Sequence, residues 1–371
     1  MRITFILQYY YPYIGGLENL FRHLAEGLAE RGHMVRVITT RLYGTPLIEV
    51  VNNVRIERVR VPTIADRYFF SLFSIPQAIR ASRQSDVVHT TPYAGPISGY
   101  IAARLSRKPI VFTALEILGR QWFKVTSNPL WAMVCRVWEF FIYHLPYDRF
   151  VAISQATLDD ALKDGIKLDF GTVIHCGVDS DFYNPGTAPI LRNRLGLSQD
   201  VFIYLYYGRP GITKGVDVLI RASQQIQKAI PNSCLVILLS TQPRRQYKQL
   251  CLLAESLKGQ ASIYMVQSVP RDELISYILG ADCIVVPSLT EGFGFTTVEA
   301  CAIGTPVVAS KVGSIPEVIS GKHILVEPGS PSALMAAILR VFKKQWDILP
   351  AKKFTWNAMV QSYEELYQEL V

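Results

Sequence analysis

The stretch Met1–Thr40, MRITFILQYYYPYIGGLENLFRHLAEGLAERGHMVRVITT, contains a complete strand–helix–strand unit. Its outer segments, RITFIL and MVRVIT, are short apolar runs of the kind that form buried strands. Between them apolar residues recur three and four positions apart, at Leu17, Leu20, Phe21, Leu24 and Leu28. This spacing predicts an amphipathic helix, and Gly32 stands where a glycine commonly ends one. Consecutive strands joined by a helix predict a parallel sheet that is covered on both faces.

The same rhythm continues along the chain, with the strand-like runs VFIYLYYG, CLVILLS, SIYMVQ, CIVVPS, PVVAS and HILVEP separated by helical segments. It is interrupted only at 177–197, where prolines and glycines predict a linker. We therefore expect an α/β fold of two doubly wound, Rossmann-like domains, residues 1–180 and 181–355, that face each other across a ligand cleft. Residues 356–371 predict an amphipathic helix that packs back on the N-terminal domain.

The composition is typical of a compact α/β enzyme, since 50% of the 371 residues are hydrophobic and 18% are charged. Six cysteines lie far apart without a CxxC pair, so we expect reduced thiols and neither a disulfide framework nor a zinc site. The N-terminal apolar run is too short for a signal peptide, and no apolar stretch approaches the ~18 residues that span a bilayer. These features predict a cytoplasmic protein.

The net charge of +8 is unevenly distributed, because residues 1–136 contain 17 Lys and Arg against 8 Asp and Glu. Such an excess suits an anionic membrane surface or a polyanion, although no motif indicates nucleic-acid binding. Two stretches of the basic N-terminal domain, RYFFSLFSIPQAIRASR and GRQWFKVTSNPLWAMVCRVWEFFIY, mix Trp and Phe with Arg and Lys. Segments of this kind can lie peripherally in a membrane interface, and the alternative is an ordinary aromatic-rich core helix.

Two loops predict contacts to phosphate. Gly15 and Gly16 lie between the first strand and the first helix, where the lack of Cβ atoms lets a phosphate approach backbone N–H groups. Glycines are also needed for geometry in turns that bind nothing. Arg209 and Lys214 lie five residues apart in YGRPGITKGVDVLI, between a strand and a helix. Two cations at that position suit a diphosphate, with side chains in place of a metal, and the alternative is solvated loop charge.

The stretch EGFGFTTVEA places Glu291 and Glu299 eight positions apart around a glycine turn. If a helix begins near Phe295, the first glutamate lies in the loop and the second projects from the helix about one turn in. A carboxylate accepts two hydrogen bonds from a vicinal diol, so each can hold a sugar or a ribose. The N–H groups of Phe293, Gly294 and Phe295 offer further contacts. The plainer interpretation is a strand, a turn and a helix that carries glutamates.

A longer segment, EGFGFTTVEACAIGTPVVASKVGSIPEVI, resembles the Glu-x7-Glu signature of glycosyltransferase family 4, whose members are retaining enzymes with the GT-B fold. The resemblance covers nearly the whole chain in the expected order: the Gly-Gly loop, DVVHTTPYAG, VAISQATLDDAL, VIHCGVDSDFYNP, GRPGITKGVDVLI, the signature and FTWNAMVQSYEELY. It implies transfer of a hexose-type sugar from a nucleoside-diphosphate donor, without a metal or other cofactor. The expected acceptor is a glycan or a lipid-linked sugar, in cell-surface polysaccharide or glycolipid synthesis.

The resemblance also implies roles for single residues, with the acceptor on the N-terminal domain and the nucleotide sugar on the C-terminal one. The glycine pair would approach the donor phosphate, and Arg209 and Lys214 would neutralise the diphosphate. Glu299 would hold the ribose, and Glu291 with the turn Gly292, Phe293, Gly294 and Phe295 would contact the transferred sugar. His89, which ends SDVVH, would lie near that sugar and the attacking acceptor, although a lone histidine at a strand end is more often structural.

Some positions depart from the family pattern. Many members have Thr-x-His-Asp where this chain has Thr113, Ala114, Leu115 and Glu116, and an asparagine where it has Cys176. The first change removes an imidazole from the acceptor side, and neither change touches the predicted donor-phosphate residues. Two other functions stay open on the sequence: a nucleotide-sugar epimerase or phosphorylase of the same fold, and a non-catalytic member that binds nucleotide or membrane. The intact acidic and basic pairs count against the last.

Overall fold

The structure is a computed structural model that describes residues 1–13, 15–62, 66–126, 128–166 and 171–371. It divides into two compact units. Unit 1 comprises Met1–Gly177 together with Phe354–Val371, and unit 2 comprises Val178–Lys353. The predicted boundaries at 180 and 355 thus fall at 177 and 353 in the structure.

Unit 1 is built on a sheet of eight strands. In chain order its strands and helices are β1 Arg2–Ile6, α1 Gly16–Glu30, β2 Met34–Thr40, β3 Ile48–Val51, β4 Val54–Val59, α2 Asp66–Phe73, α3 Ile75–Ser82, β5 Val87–Thr90, α4 Gly95–Ser106, β6 Ile110–Ala114, α5 Trp122–Val125, α6 Pro129–Tyr143, β7 Arg149–Ala152, α7 Gln155–Lys163 and β8 Gly171–Val173. The strand order is β3-β4-β2-β1-β5-β6-β7-β8, and all neighbours are parallel except β3 and β4.

The N-terminal stretch forms the predicted unit in full, since β1 and β2 pair in parallel and α1 connects them. Leu20, Leu24 and Leu28 of α1 are buried, as the spacing predicts. Gly32 follows the helix with φ at 85°, a backbone conformation that glycine adopts without steric cost. The apolar face of α1 and the apolar strands together bury the core of unit 1.

Unit 2 contains a seven-stranded sheet. Its elements are α8 Leu191–Leu195, β9 Phe202–Gly208, α9 Val216–Ala229, β10 Ser233–Leu239, α10 Arg244–Ser256, β11 Ile263–Gln267, α11 Arg271–Leu279, β12 Cys283–Val286, α12 Phe295–Ile303, β13 Val307–Ser310, α13 Ile315–Val318, β14 Gly321–Val326, α14 Pro331–Phe342 and β15 Asp347–Leu349. The strand order is β11-β10-β9-β12-β13-β14-β15, and only β15 is antiparallel to its neighbour. The two-domain α/β prediction is confirmed.

The C-terminal helix, α15 Trp356–Gln368, belongs to unit 1, as predicted. Tyr363 and Tyr367 are fully buried there, and the glycine at position 27 of α1 lets the helices approach closely. A Cβ added to Gly27 would lie 2.7 Å from a methyl of Val360. Glu364 accepts from Arg31 at 2.6 Å, so the helix is held by packing and by an ion pair.

Three further features concern the cysteines, the helices and possible metal ligands. All six cysteines are free. Among the described residues, no helix combines the length and the apolar character that crossing a bilayer requires. In the same ranges, no group of three or more His, Cys, Asp or Glu side chains is arranged to hold a metal ion.

Candidate functional site

The site in unit 2 begins at the point where the strand order reverses. From β9 the chain continues outward to β10 and β11 on one side, and then returns to place β12 on the other side of β9. Because β9 and β12 are parallel neighbours, their carboxyl ends meet at one edge of the sheet. Ligands of doubly wound sheets bind at such a switch point. Lys214 follows β9 and Glu291 follows β12, so the topology brings these two predicted residues together.

The two loops are joined through their backbones. The N–H of Leu289 donates to the carbonyl of Thr213 at 2.7 Å. Gly215, with φ at 61°, lies so close to the other loop that an added Cβ would be 2.0 Å from the carbonyl oxygen of Pro287. Only a glycine fits this position, and the loop carrying Lys214 is thereby held against the loop carrying Glu291. Gly215 was not among the residues predicted from the sequence, although its place directly after Lys214 was a usable signal.

Lys214 and Glu291 form an ion pair. The Lys214 Nζ donates to both carboxylate oxygens, at 3.0 Å to Oε1 and 2.9 Å to Oε2. The Ser288 hydroxyl donates to Oε2 at 3.0 Å. The lysine side chain is 31% exposed and the glutamate 14%, so both charges lie at the edge of solvent. An ammonium group has three N–H donors, and this arrangement leaves capacity for an anionic ligand.

The backbone of Glu291 is held by the loop after β13. The Ser314 N–H donates to the Glu291 carbonyl at 3.1 Å, and the Ser314 hydroxyl donates to it at 3.3 Å. Gly313 has φ at 47°, and an added Cβ would lie 2.1 Å from the same carbonyl oxygen. Gly313 was not predicted from the sequence either. Two glycines in different loops therefore determine where the two charged side chains stand.

The turn after Glu291 leads into α12, which begins at Phe295 as the sequence predicts. Gly294 precedes the helix with φ at 85°, the left-handed conformation that glycine favours. The Phe293 ring is buried and packs edge-on against the Phe295 ring at 5.1 Å between centroids. The Phe293 ring is thus buried and the Phe295 ring half-buried, so we expect contacts from the turn to a ligand to come from its backbone.

Glu299 lies on α12 and is only 4% exposed. Its Oε1 accepts a hydrogen bond from Nη2 of Arg271 at 2.7 Å. Arg271 also pairs with Asp179, and its guanidinium lies over the Phe182 ring, 4.9 Å from the centroid. Burial raises the pKa of Glu299, and the neighbouring Arg271 opposes that shift. Arg271 was not predicted from the sequence, because a lone arginine at a helix start has no motif that marks it.

The remaining donor-side predictions lie in less constrained surroundings. The Arg209 side chain is exposed, and it forms no ion pair with any residue in the ranges that the structure covers. Its carbonyl accepts from the Tyr206 hydroxyl at 3.2 Å. In unit 1, Gly15 is extended and Gly16 is the first residue of α1, and the Asn19 N–H donates to the Gly15 carbonyl at 2.9 Å. The structure therefore places the glycine pair at a helix start, as predicted.

The position predicted for His89 requires a correction. The prediction placed it beside the sugar and the acceptor, but its ring is fully buried in unit 1. Nδ1 lies 2.5 Å from the Tyr367 hydroxyl and Nε2 lies 2.8 Å from the Thr113 hydroxyl. The rings of Phe5 and Phe21 enclose it, and burial lowers its pKa to about 3. His89 connects α15 to the sheet, with both nitrogens bonded and no exposed surface from which to contact a substrate.

Comparisons with known proteins identify the family of this chain. The model of the family described as "Glycosyltransferase Family 4" matches residues 14–182, and that of "Glycosyl transferases group 1" matches residues 188–358. A D-inositol 3-phosphate glycosyltransferase of Thermobifida fusca is 36% identical, over 82% of this chain and 75% of its own.

Two solved structures are similar along their whole length. A sucrose-phosphate synthase from Thermosynechococcus elongatus has a TM-score of 0.78 at 24% identity and covers 100% of this chain and 98% of its own. HepE of Anabaena, in complex with UDP-glucose, has a TM-score of 0.74 at 18% identity and covers 100% of both chains. At these identities the likeness shows the fold.

Proposed function

The chain belongs to glycosyltransferase family 4 and is a glycosyltransferase with the GT-B fold, and on that premise we propose the reaction it catalyses. It transfers a hexose-type sugar from a nucleoside-diphosphate donor, with retention of configuration, to a hydroxyl of a glycan or lipid-linked acceptor. The product belongs to cell-surface polysaccharide or glycolipid synthesis. The binding of UDP-glucose by the structurally similar HepE supports a nucleoside-diphosphate hexose as the donor class.

The ion pair of Lys214 and Glu291 at the switch point of unit 2 is the observation that carries this proposal. It places a cation and a carboxylate side by side at the edge of the sheet where doubly wound folds bind ligands. A nucleotide sugar presents a diphosphate next to sugar hydroxyls, and this pair is complementary to both. The ammonium would bind phosphate oxygen through its remaining N–H, while the carboxylate would accept from sugar hydroxyls.

The charge that develops during transfer is on the departing diphosphate. In this proposal Lys214 and the exposed guanidinium of Arg209 stabilise it. Retention follows from attack on the same face that the leaving group departs from, assisted by the leaving phosphate. Because the His89 ring is buried and fully bonded, it does not serve as a base for the acceptor.

Glu299 would hold the ribose of the donor, and its buried carboxylate would be oriented by Arg271. A carboxylate bonded on one oxygen still has lone pairs for the two hydroxyls of a ribose. The nucleoside half and the sugar half of the donor would then be held by different glutamates, one on α12 and one in the loop before it. The two carboxylates are separate binding groups in this scheme and not an acid and base couple.

Calorimetry with free UDP, GDP and ADP, followed by turnover of the corresponding nucleotide sugars with and without EDTA, tests this function. We expect one nucleotide to bind and its hexose to be transferred or slowly hydrolysed, with EDTA leaving the rate unchanged. Lys214→Ala should lose most of the turnover. Lys258→Ala is the matched control. Lys258 lies in the turn after α10 and forms an exposed ion pair with Glu255 of that helix, away from the switch point.

Three results would count against the proposal: binding of no nucleotide, near-wild-type turnover by Lys214→Ala, or conversion of the donor sugar into its epimer when no acceptor is present. The last result would assign the protein to the epimerase alternative. Loss of activity in both lysine variants would show that the assay reports on general stability instead of the site.

A further inference from the structure

Helix α6 of unit 1 is apolar on both sides. Its inward residues Ala132, Ile142 and Tyr143 are buried against the sheet. Its outward residues are spaced three and four apart, which places them on one stripe, and each is between 47% and 77% exposed: Leu130, Met133, Val134, Val137, Phe140 and Phe141. No polar side chain interrupts that stripe. A surface helix of a globular protein ordinarily carries polar residues there.

Neighbouring helices extend the apolar area. The ring of Tyr68 on α2 contacts that of Trp138 on α6, with 5.7 Å between centroids, so the two helices adjoin. Leu72 and Phe73 of α2 are exposed, as is Phe123 of α5. We call the outward stripe of α6 together with these four residues, Tyr68, Leu72, Phe73 and Phe123, the docking surface. Exposed apolar areas of this extent mark contact with another molecule or a membrane.

The charges around α6 are complementary to an anionic partner. Residues 117–147 contain three cations, Arg120, Lys124 and Arg136, and a single carboxylate, Glu139. That carboxylate is turned inward, where it accepts from the N–H groups of Leu118 at 3.0 Å and Gly119 at 2.7 Å. Arg120 is exposed, whereas Arg136 is partly buried and pairs with Asp164 at 3.7 Å. The segment therefore presents the Arg120 cation and apolar side chains to its surroundings and keeps its only carboxylate inside.

We propose that the docking surface binds an anionic phospholipid bilayer, with α6 lying in the plane of the membrane. The helix has 15 residues, a length of roughly 22 Å, which is too short to cross the hydrocarbon core but suits an interfacial position. Leu, Met, Val and Phe side chains on the outward side would enter the boundary between headgroups and acyl chains, and Arg120 would meet lipid phosphates. The inference rests on this surface alone and does not require the proposed transfer reaction.

Vesicle flotation with the full chain tests the inference without an activity readout. Wild type should float with phosphatidylcholine vesicles that contain phosphatidylglycerol, and less with pure phosphatidylcholine. Val137→Asp should lower the partition coefficient by about tenfold or more, because it places a carboxylate in the middle of the apolar stripe. Leu105→Asp is the matched control, since Leu105 is 64% exposed on α4 against 60% for Val137 on α6, and it should float like wild type.

Leu130→Asp, at the exposed start of α6, is a second variant in case Val137→Asp fails to fold, which circular dichroism and thermal unfolding would reveal. The inference is overturned if wild type binds neither kind of vesicle, or if Val137→Asp and Leu130→Asp bind as wild type does. Equal binding to neutral and anionic vesicles would overturn the role of charge. Light scattering that shows a dimer lost in Val137→Asp, without vesicle binding, would assign the surface to a second copy of this chain.

Discussion

Protonation of His89 should destabilise unit 1. The resulting dependence of stability on pH distinguishes a structural histidine from a catalytic one. Burial lowers the pKa of His89 from 6.5 to about 3, while in the unfolded chain the ring titrates at its ordinary value. Between these two pH values the unfolded state binds the extra proton, so stability falls as the pH falls. The slope approaches ~1.4 kcal/mol per pH unit, and the total over the interval is on the order of 5 kcal/mol. Above pH 6.5 the ring is neutral in both the folded and the unfolded chain, and the protein keeps this stability in full.

Urea unfolding followed by tryptophan fluorescence measures this effect in the intact chain. Four of the five tryptophans, Trp122, Trp131, Trp138 and Trp356, lie in unit 1, so the signal reports mainly on that unit. Between about pH 6.5 and pH 4, wild type should lose stability more steeply than His89→Gln, whose amide does not titrate. Thr113→Val is the control, because it removes one hydrogen-bond partner of the ring and leaves the titration in place.

The outcome separates two roles of the residue. A structural His89 predicts that His89→Gln unfolds at lower urea at neutral pH, has a shallower pH dependence, and keeps its turnover in proportion to the folded fraction. Equal pH slopes in wild type and His89→Gln would refute the reasoning from burial. A stably folded His89→Gln that has lost turnover by about a hundredfold would restore the histidine to the reaction.

Other predictions concern unit 2. Lys214→Ala should cost no more than ~1 kcal/mol of stability in urea unfolding, because its ion pair is partly exposed, while turnover falls by about 10² to 10³. Arg271→Gln should weaken nucleotide binding in calorimetry, and Arg271→Lys should recover part of it, since the charge beside Glu299 returns without the planar fork. Gly313→Ala should destabilise the unit by about 2 kcal/mol or more and also reduce turnover. Gly304→Ala has the same left-handed strain but meets no atom within 4 Å, so it should cost about 1 kcal/mol and leave turnover unchanged.

Local patterns predicted the main elements of the fold. The spacing of apolar residues in α1, the glycine after it and the start of α12 at Phe295 all depend on neighbours in the chain. The antiparallel hairpin of β3 and β4 was missed, although a signal existed in the pair Asn52 and Asn53. Both have positive φ, 49° and 62°, as a two-residue hairpin turn requires, and asparagine tolerates that conformation better than most residues.

Contacts between distant segments were harder to predict. His89 and Tyr367 are 278 positions apart, so the sequence around the histidine could not show that a C-terminal helix covers it. A polar residue at a strand end is solvated in one fold and buried in another, depending on what packs there. The contact between Arg271 and Glu299 was equally hard to predict, because it depends on the packing of α11 beside α12.

Lys214 and Glu291 show how motif and topology combine at the site. They are 77 positions apart, and each lies in a motif that predicts ligand contact, yet neither motif indicates that the two side chains form an ion pair. Their meeting depends on the order of β9 and β12 in the sheet and on the close backbone approaches at Gly215 and Gly313. Replacing the side chain of Lys214 or Glu291 should therefore remove a charged group and leave the backbone of both loops in place. Replacing Gly215 or Gly313 should instead displace a loop and weaken the ligand contacts of Lys214 and Glu291 together.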